Sequence, residues 1–160
     1  MAIAAVTPRV RTIVLCDAVA ASPTEDGVFT LEGVRQRLTA ESFPWRATLR
    51  VFLVVSSPRK GRFTGKILVV KEPEDRWIRY MKFVAAFEED NEVAPVIVDA
   101  EGCVFPAAGQ YVVEVFFDAR GGEALKGEHP FVVSGQRSEP CPEESFCRGL
   151  LRYSTSLPNR

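Results

Sequence analysis

GCVFPAAGQYVVEVFFD, residues 102–118, is the stretch that decides the fold class of this chain. Pro106 and Gly109 mark a corner, and the residues that follow are mostly β-branched or aromatic. Alternate side chains then fall on one face, at the period of two that a β-strand imposes: Tyr111, Val113, Val115 and Phe117. The stretch therefore predicts a turn followed by a strand.

Similar units recur along the chain, and no long helical pattern interrupts them. Strands are predicted at residues 10–19, 28–34, 49–55, 63–71, 77–88, 92–99, 109–119 and 128–134. A helix is the main alternative for 77–88, because Met81 and Ala85 tolerate one. The pattern is typical of an all-β domain, and we expect a single antiparallel β-sandwich of about seven to nine strands, immunoglobulin-like or C2-like.

Several glycine and proline residues predict where the strands turn, bulge or end. Asp26-Gly27 is the strongest hairpin signal in the chain. Gly33 suggests a bulge or a close approach of the backbone, and Pro95 demands an edge strand, a bulge or a break. The nearly continuous apolar run at 49–55 predicts a central strand.

The two ends of the chain differ from the domain at 10–134. Residues 1–9 are predicted to form an N-terminal arm and residues 135–160 a C-terminal tail. The tail is a polar linker followed by sparse apolar residues, and a short helix docked on the domain or on a neighbour is one interpretation. A frayed terminus is the alternative.

The composition is that of an ordinary globular protein, with 46% hydrophobic and 26% charged residues among 160. This length fits one domain. A formal net charge of −1 gives no basic excess, so a nucleic-acid partner is not expected. Asp17 leaves only about four to five apolar residues where a signal peptide needs ~7–15, and no run approaches the ~18 of a membrane span. We expect a cytoplasmic protein with no membrane partner.

The four cysteines divide into two pairs with different surroundings. Cys16 and Cys103 lie among apolar residues and are predicted to be buried thiols. Cys141 and Cys147 lie in the polar tail, where a disulfide and two free thiols both remain open. A zinc site needs more ligands than this set readily supplies.

Catalytic and cofactor signatures are weak throughout. His129 is the only histidine, so a Ser-His-Asp or Cys-His mechanism would have to use it. It precedes Pro130 where a strand begins, and we expect a surface or edge histidine. The acidic run at 88–92 and loop aspartates offer calcium ligands without the EF-hand spacing, and no phosphate-binding glycine motif occurs. The sequence therefore predicts no enzyme and no cofactor.

Charge is segregated along the chain. Residues 35–66 contain eight basic residues opposed only by Glu41, and residues 88–118 contain eight acidic residues and no lysine or arginine. If the segregation is spatial, the molecule has oppositely charged faces suited to self-association or to a charged partner. If strands interleave the two stretches, the charges only solubilise the turns. The basic residues are Arg35, Arg37, Arg46, Arg50, Arg59, Lys60, Arg62 and Lys66.

One set of residues resembles a known family. The first part of the pattern is Cys16-Asp17 followed by Gly27, Leu31 and Gly33-Val34. Phe43-Pro44 and a Leu-Val-Val strand come next. The last part is Phe105-Pro106 followed by Gly109 and Tyr111. This pattern resembles a group of small, uncharacterised bacterial β-sandwich proteins over about residues 10–134. The resemblance implies a fold, and it implies no activity, cofactor or catalytic residue.

We therefore expect a non-catalytic protein-interaction or assembly module that binds a protein partner or a second copy of itself. A ligand- or calcium-binding sandwich is the alternative, and a small enzyme is a weaker one. A nucleic-acid role would need the basic turn at residues 59–62. The candidate interaction residues are Arg59, Lys60, Arg62, Phe146, Leu150, Leu151 and Tyr153.

Overall fold

The computed structural model describes residues 6–120 and 122–136, and in these residues the chain is all-β. Ten strands follow one another and no helix occurs among the described residues. The strands are β1 Arg9–Cys16, β2 Ala18–Ala21, β3 Phe29–Glu32, β4 Arg37–Ala40, β5 Trp45–Ser57, β6 Gly61–Lys71, β7 Arg76–Phe87, β8 Glu92–Phe105, β9 Gly109–Ala119 and β10 Gly122–Gly135.

The strands form three sheets. A three-stranded sheet has the order β1-β5-β8, a five-stranded sheet has the order β4-β10-β9-β6-β7, and β2-β3 is a separate hairpin. The run at 49–55 is central in its sheet, as predicted. Pro95 lies on β8, an edge strand of the three-stranded sheet, where its missing N–H breaks no ladder.

Two features correct the expected seven to nine antiparallel strands. The predicted strand at 10–19 is divided at Asp17 into β1 and β2, and the short β4 was not predicted at all. β4 also pairs in parallel with β10, while the other pairs are antiparallel. Only Leu38 and Ala40 of β4 enter the core, so its apolar signal is too short to detect.

The core lies between the two larger sheets. The predicted apolar face of β9 is confirmed, because Tyr111, Val113, Val115 and Phe117 are each at most 1% exposed. Tyr111 packs edge-on against Phe105 of β8, with ring centroids 5.0 Å apart. Burying each such side chain contributes roughly 1.5–3 kcal/mol, so this face is a principal source of stability.

The five-stranded sheet curls as a half-barrel around this core. The connection between β7 and β8 leads from the five-stranded sheet to the three-stranded sheet. At the opposite side β1 approaches β10, where a Cβ on Gly127 would lie 3.0 Å from Ile13 Cδ1. The two sheets therefore approach each other at both edges.

The segment at 77–88 is a strand, β7, but a bulge changes its faces. Val69 pairs with Arg79 and Val70 with Trp77, so Ile78 is the extra residue. The alternation in the sequence places Trp77 on the face of Met81, and this is wrong. The bulge turns Trp77 to the side opposite the core.

The hairpin signal at Asp26-Gly27 lies in the connection between β2 and β3, where Gly27 has φ +74°. The close approach predicted at Gly33 is confirmed: φ is +62°, and a Cβ would lie 2.1 Å from Asp17 Oδ2. Any residue with a Cβ would therefore be strained in this backbone conformation and would displace the Asp17 carboxylate.

Cys16 and Cys103 are buried free thiols, as predicted. The question of a disulfide between Cys141 and Cys147 lies outside the described residues, as does the predicted tail beyond residue 136. In the described part of the chain, no helix has the length and hydrophobicity to cross a membrane.

Candidate interaction surface on the five-stranded sheet

The side of the five-stranded sheet that points away from the core is called the outer face here. Strands β7, β6, β9 and β10 cross it in register, and each cross-strand row presents one side chain from each strand. Three complete rows, written from β7 to β10, are Trp77–Val70–Val112–Pro130, Tyr80–Leu68–Glu114–Glu128 and Lys82–Lys66–Phe116–Leu125.

Large apolar side chains are exposed along β7 at one side of this face. Trp77 is 66% exposed, Tyr80 41% and Val84 48%. Beside them Leu68 and Val70 of β6 are buried although they lie outside the core cluster. An apolar strip thus continues from an exposed tryptophan into the sheet, and exposed apolar patches are candidates for interaction sites.

The charges on the outer face are divided between its two sides. Arg62, Lys66 and Lys82 lie on β6 and β7. The acidic residues lie on β9 and β10: Glu114, Asp118, Glu123 and Glu128. Along the strands the face is therefore basic on β6 and β7 and mostly acidic on β9 and β10, where Lys126 is the exception, and apolar side chains lie in both halves.

Lys66 is the one basic residue of this face that is neutralised among the described residues. Its ammonium forms an ion pair with Glu123 and lies 5.0 Å from the ring centroid of Phe116 and 5.8 Å from that of Tyr80. Only 13% of its side chain is exposed. Lys82 and Arg62 have no carboxylate within ion-pair distance among the described residues.

Glu114 and Glu128 lie directly opposite each other on β9 and β10. Burial raises the pKa of Glu114, and the carboxylate of Glu128 raises it further. Like charges in this position destabilise a sheet. A positive group supplied from outside would relieve the repulsion, so this point of the face favours a basic partner side chain.

The structure brings together only part of the predicted basic site. Arg59 and Lys60 lie in the turn between β5 and β6, and the Lys60 N–H donates to Asp90 Oδ1 at 2.8 Å. Arg62 lies at the beginning of β6, and all three residues are exposed. Phe146, Leu150, Leu151 and Tyr153 lie outside the described residues.

The charge segregation in the sequence has different outcomes on the two larger sheets. In the three-stranded sheet Arg50 donates to both carboxylate oxygens of Asp99, at 2.7 and 2.9 Å, and lowers the pKa of that carboxyl. A similar two-bond pair joins Arg35 to Asp17. The pairing of β5 with β8 thus joins the basic stretch to the acidic one at Arg50 and Asp99, whereas Asp17 lies outside the acidic stretch. On the outer face of the five-stranded sheet the two stretches stay apart.

The residues considered for catalysis are not brought together into a described site. Burial raises the pKa of the Cys103 thiol to about 11, and its Sγ donates to the Ala100 carbonyl, so it is held as a thiol. His129 is half-buried on β10, its Nε2 has no partner among the described residues, and burial lowers its pKa. His129 lies within β10 and not where the strand begins, and β10 lies between β4 and β9 in the sheet. The prediction of a surface or edge histidine at the start of a strand is therefore wrong.

The carboxylates proposed as calcium ligands bind backbone groups. Asp90 accepts the Lys60 N–H, and Glu92 Oε2 accepts the N–H groups of Glu88 and Glu89 at 2.6 and 3.0 Å. No group of three or more His, Cys, Asp or Glu gathers at a metal site in the part of the chain that the structure describes. Both carboxylates therefore already accept hydrogen bonds from backbone N–H groups.

Sequence reasoning missed Trp77 and Tyr80 as surface residues. Strand alternation places them on opposite faces, and the bulge at Ile78 places them on the same one. A bulge depends on pairing with β6, so no local pattern in the sequence signals it. The only available signal was composition, since exposed Trp and Tyr are typical of binding surfaces.

Comparison with known proteins confirms the resemblance to an uncharacterised domain family. A family model described as "Family of unknown function (DUF6941)" matches residues 11–133. A search of curated proteins finds none that matches the chain.

Proposed function

Because this chain belongs to a family of unknown function, DUF6941, we propose its role from its surface chemistry: it is a non-catalytic assembly module whose outer face binds a second copy of the same chain. The observation that carries the proposal is the combination on one face of exposed aromatic side chains with separated charges, of which Lys82 and Glu128 have no ion-pair partner among the described residues. Buried aromatic anchors with complementary charges around them are the usual means by which interfaces gain affinity and register.

The outer face is complementary to itself. A twofold axis in the plane of the interface, running along the strands between β6 and β9, places the β7 side of one copy over the β10 side of the other. Lys82 of each copy then lies over the Leu125 row of its partner, one row from Glu128, and we expect its long side chain to reach that carboxylate and relieve the repulsion between Glu128 and Glu114. Trp77 and Tyr80 are removed from water in the same contact.

A partner that carries only apolar groups would leave Lys82 and Glu128 desolvated without compensation, which is costly. A second copy supplies both opposite charges at once. Self-association is therefore favoured over docking of an uncharged segment.

The test is the solution mass of the full chain by light scattering, across protein concentration and at low and high salt. We expect a dimer that weakens as salt is raised, because the charges at its rim are screened within about 10 Å at 0.1 M. Trp77→Ser should weaken the dimer most. Ile97→Ser is the matched control, since Ile97 is 49% exposed on the other sheet, and it should leave the mass unchanged.

A charge exchange makes the test specific for the arrangement. Lys82→Glu alone and Glu128→Lys alone should each weaken the dimer, and the double variant should recover it. Loss of the dimer in both single variants without recovery in the double variant contradicts the twofold arrangement. A monomer at all concentrations contradicts self-association and leaves a foreign protein as the occupant of this face.

The predicted tail is a competing connector. Replacing Leu150 and Leu151 with serine in the full chain tests it without removing residues. A dimer that persists in this variant and is lost in Trp77→Ser supports the outer face, and the reverse result assigns assembly to the tail.

The proposal also includes the type of sandwich fold and the cellular compartment. The core between two sheets supports an immunoglobulin-like or C2-like sandwich as the parent fold. The buried free thiols Cys16 and Cys103 support a reducing compartment such as the cytoplasm. The calcium-binding alternative has less support, because Asp90 and Glu92 already accept backbone hydrogen bonds.

A further inference from the structure

A second feature lies at the far end of the three-stranded sheet, where β1 begins, β5 ends and β8 begins. An open cleft of ≈ 350 Å³ is lined there by Arg9 and Arg11 of β1 and by Ser56 and Ser57 of β5, with Asn91 and Val93 beside β8. It is separate from the outer face of the five-stranded sheet.

A bulge in β1 places both arginines in this cleft. Val10 pairs with Val55 and Thr12 with Val54, so Arg11 is the extra residue. Val10 and Ile13 both pack against the core, and the bulge is what returns Ile13 to that side. Arg11 is left outside, on the same side as Arg9 and Ser56.

The donors in the cleft are oriented and available. Arg11 Nε donates to Ser56 Oγ at 2.8 Å, which fixes the plane of the guanidinium and leaves its terminal N–H groups free of described partners. Ser56 Oγ accepts that bond, so its own hydroxyl proton remains to be donated. Ser57 is different, since its hydroxyl donates to the Arg59 carbonyl at 2.6 Å.

Arg9 and Arg11 are not neutralised by any carboxylate in the part of the chain that the structure describes. Among the described residues none lies within ion-pair distance of Arg9 or Arg11, and residues 1–8 contain no acidic residue. In the acidic turn at 88–92, Asp90 accepts from the Lys60 N–H and Glu92 from the N–H groups of Glu88 and Glu89, and no carboxylate of this turn forms an ion pair with either arginine. Two guanidinium groups thus share an open cleft with an oriented hydroxyl.

We propose that this cleft binds a tetrahedral oxyanion, as free phosphate or as the phosphate group of a larger ligand. Arginine matches phosphate with two parallel N–H···O bonds, and the Ser56 hydroxyl supplies a further donor to a third oxygen. The two positive charges balance a dianion. The cleft shares no residue with the outer face. Phosphate binding and self-association are therefore tested separately.

The experiment is calorimetric titration of the full chain with inorganic phosphate, with glycerol phosphate, and with chloride at matched ionic strength. We expect both phosphates to bind and chloride not to. Tighter binding of glycerol phosphate identifies the natural ligand as a phosphate ester, and equal binding identifies free phosphate as sufficient. Heat from chloride equal to that from phosphate overturns the proposal.

The variant Arg9→Gln/Arg11→Gln should bind phosphate at least ten-fold more weakly, a difference of about 1.4 kcal/mol. Arg37→Gln is the matched control, an exposed arginine of β4 outside the cleft, and should bind like the parent chain. Ser56→Ala separates the hydroxyl from the charges and should give a smaller loss. Equal phosphate affinity in the double variant and in the control contradicts the site.

Discussion

The two larger sheets of this protein differ in how their outward sides are completed. On the three-stranded sheet Phe29 of the β2-β3 hairpin covers Phe52 at 5.8 Å between ring centroids, and Arg50 is paired with Asp99. On the five-stranded sheet no described element covers Trp77 and Tyr80, and basic and acidic side chains occupy opposite sides. The outward side of the three-stranded sheet is therefore completed within the chain in part, although Val93 and Ile97 of β8 stay exposed there, and the outer face of the five-stranded sheet is the side for which we propose a second copy.

The largest expected effect is on the free energy of unfolding, and it compares a residue on the covered side of the three-stranded sheet with one on the outer face of the five-stranded sheet. Phe52 is only 6% exposed, so Phe52→Ala should lower the free energy of unfolding by about 3 kcal/mol through lost burial and a cavity. Trp77→Ala removes a larger side chain from the open face and should cost under about 1 kcal/mol. Urea denaturation at a concentration where the protein is monomeric compares them, and an equal loss would show that Trp77 is covered within its own chain.

The second effect concerns the inner side of the five-stranded sheet, on which the open face depends. A Cβ on Gly65 would lie 2.4 Å from the ring of Phe83, which packs edge-on against Phe117. Gly65→Ala should therefore displace β7 and lower the free energy of unfolding by about 1–3 kcal/mol. Gly135→Ala is the matched control, because its Cβ would meet Phe43 at an ordinary 3.6 Å. Equal thermal denaturation midpoints for the two variants would contradict this account of how β7 is held.

How much of this arrangement the sequence predicts depends on whether a feature is local. The period of two in β9 is local, so the buried face of Tyr111 was predicted correctly. β4 has four residues and pairs with β10 from the other end of the chain, so its own residues carry little signal. The bulge at Ile78 exists only in the register with β6, and it decides that Trp77 belongs to the surface.

The same reasoning applies to charge. The basic and acidic stretches are visible in the sequence, but only strand register determines whether they meet. β5 lies beside β8, so Arg50 meets Asp99; β6 and β9 carry Lys66 and Glu114 to different rows of one face. The segregation was predicted, and its location was not.

The third effect compares the two sheets through an acid titration. Hydrogen bonds from Arg50 lower the pKa of Asp99, so its pairing stabilises the fold above the unfolded pKa of about 3.9, and this contribution is lost as pH falls through the lower folded value. The pair is partly exposed, so Asp99→Asn should cost only about 1 kcal/mol at pH 7. Denaturation midpoints of variant and parent should converge at acid pH, and a constant difference would show that the charge is not responsible.

The smallest effect has the opposite sign and lies on the open face. Burial and the neighbouring Glu128 raise the pKa of Glu114, so the ionised carboxylate destabilises the monomer at neutral pH. The fold regains this stability as pH falls through the raised folded pKa toward the unfolded value of about 4.3. Glu114→Gln should accordingly stabilise the monomer by about 0.5 kcal/mol at pH 7, a gain that disappears in acid.

In the proposed dimer, Lys82 of a second copy would supply the missing positive charge beside Glu114 and Glu128. Glu114→Gln should then stabilise a concentrated, associated sample less than a dilute one, because the dimer already relieves the repulsion that the substitution removes. Denaturation of parent and variant at two protein concentrations measures the difference. A gain that is the same at both concentrations would mean that no basic group reaches this carboxylate on association, and the open face would then need a partner of different charge.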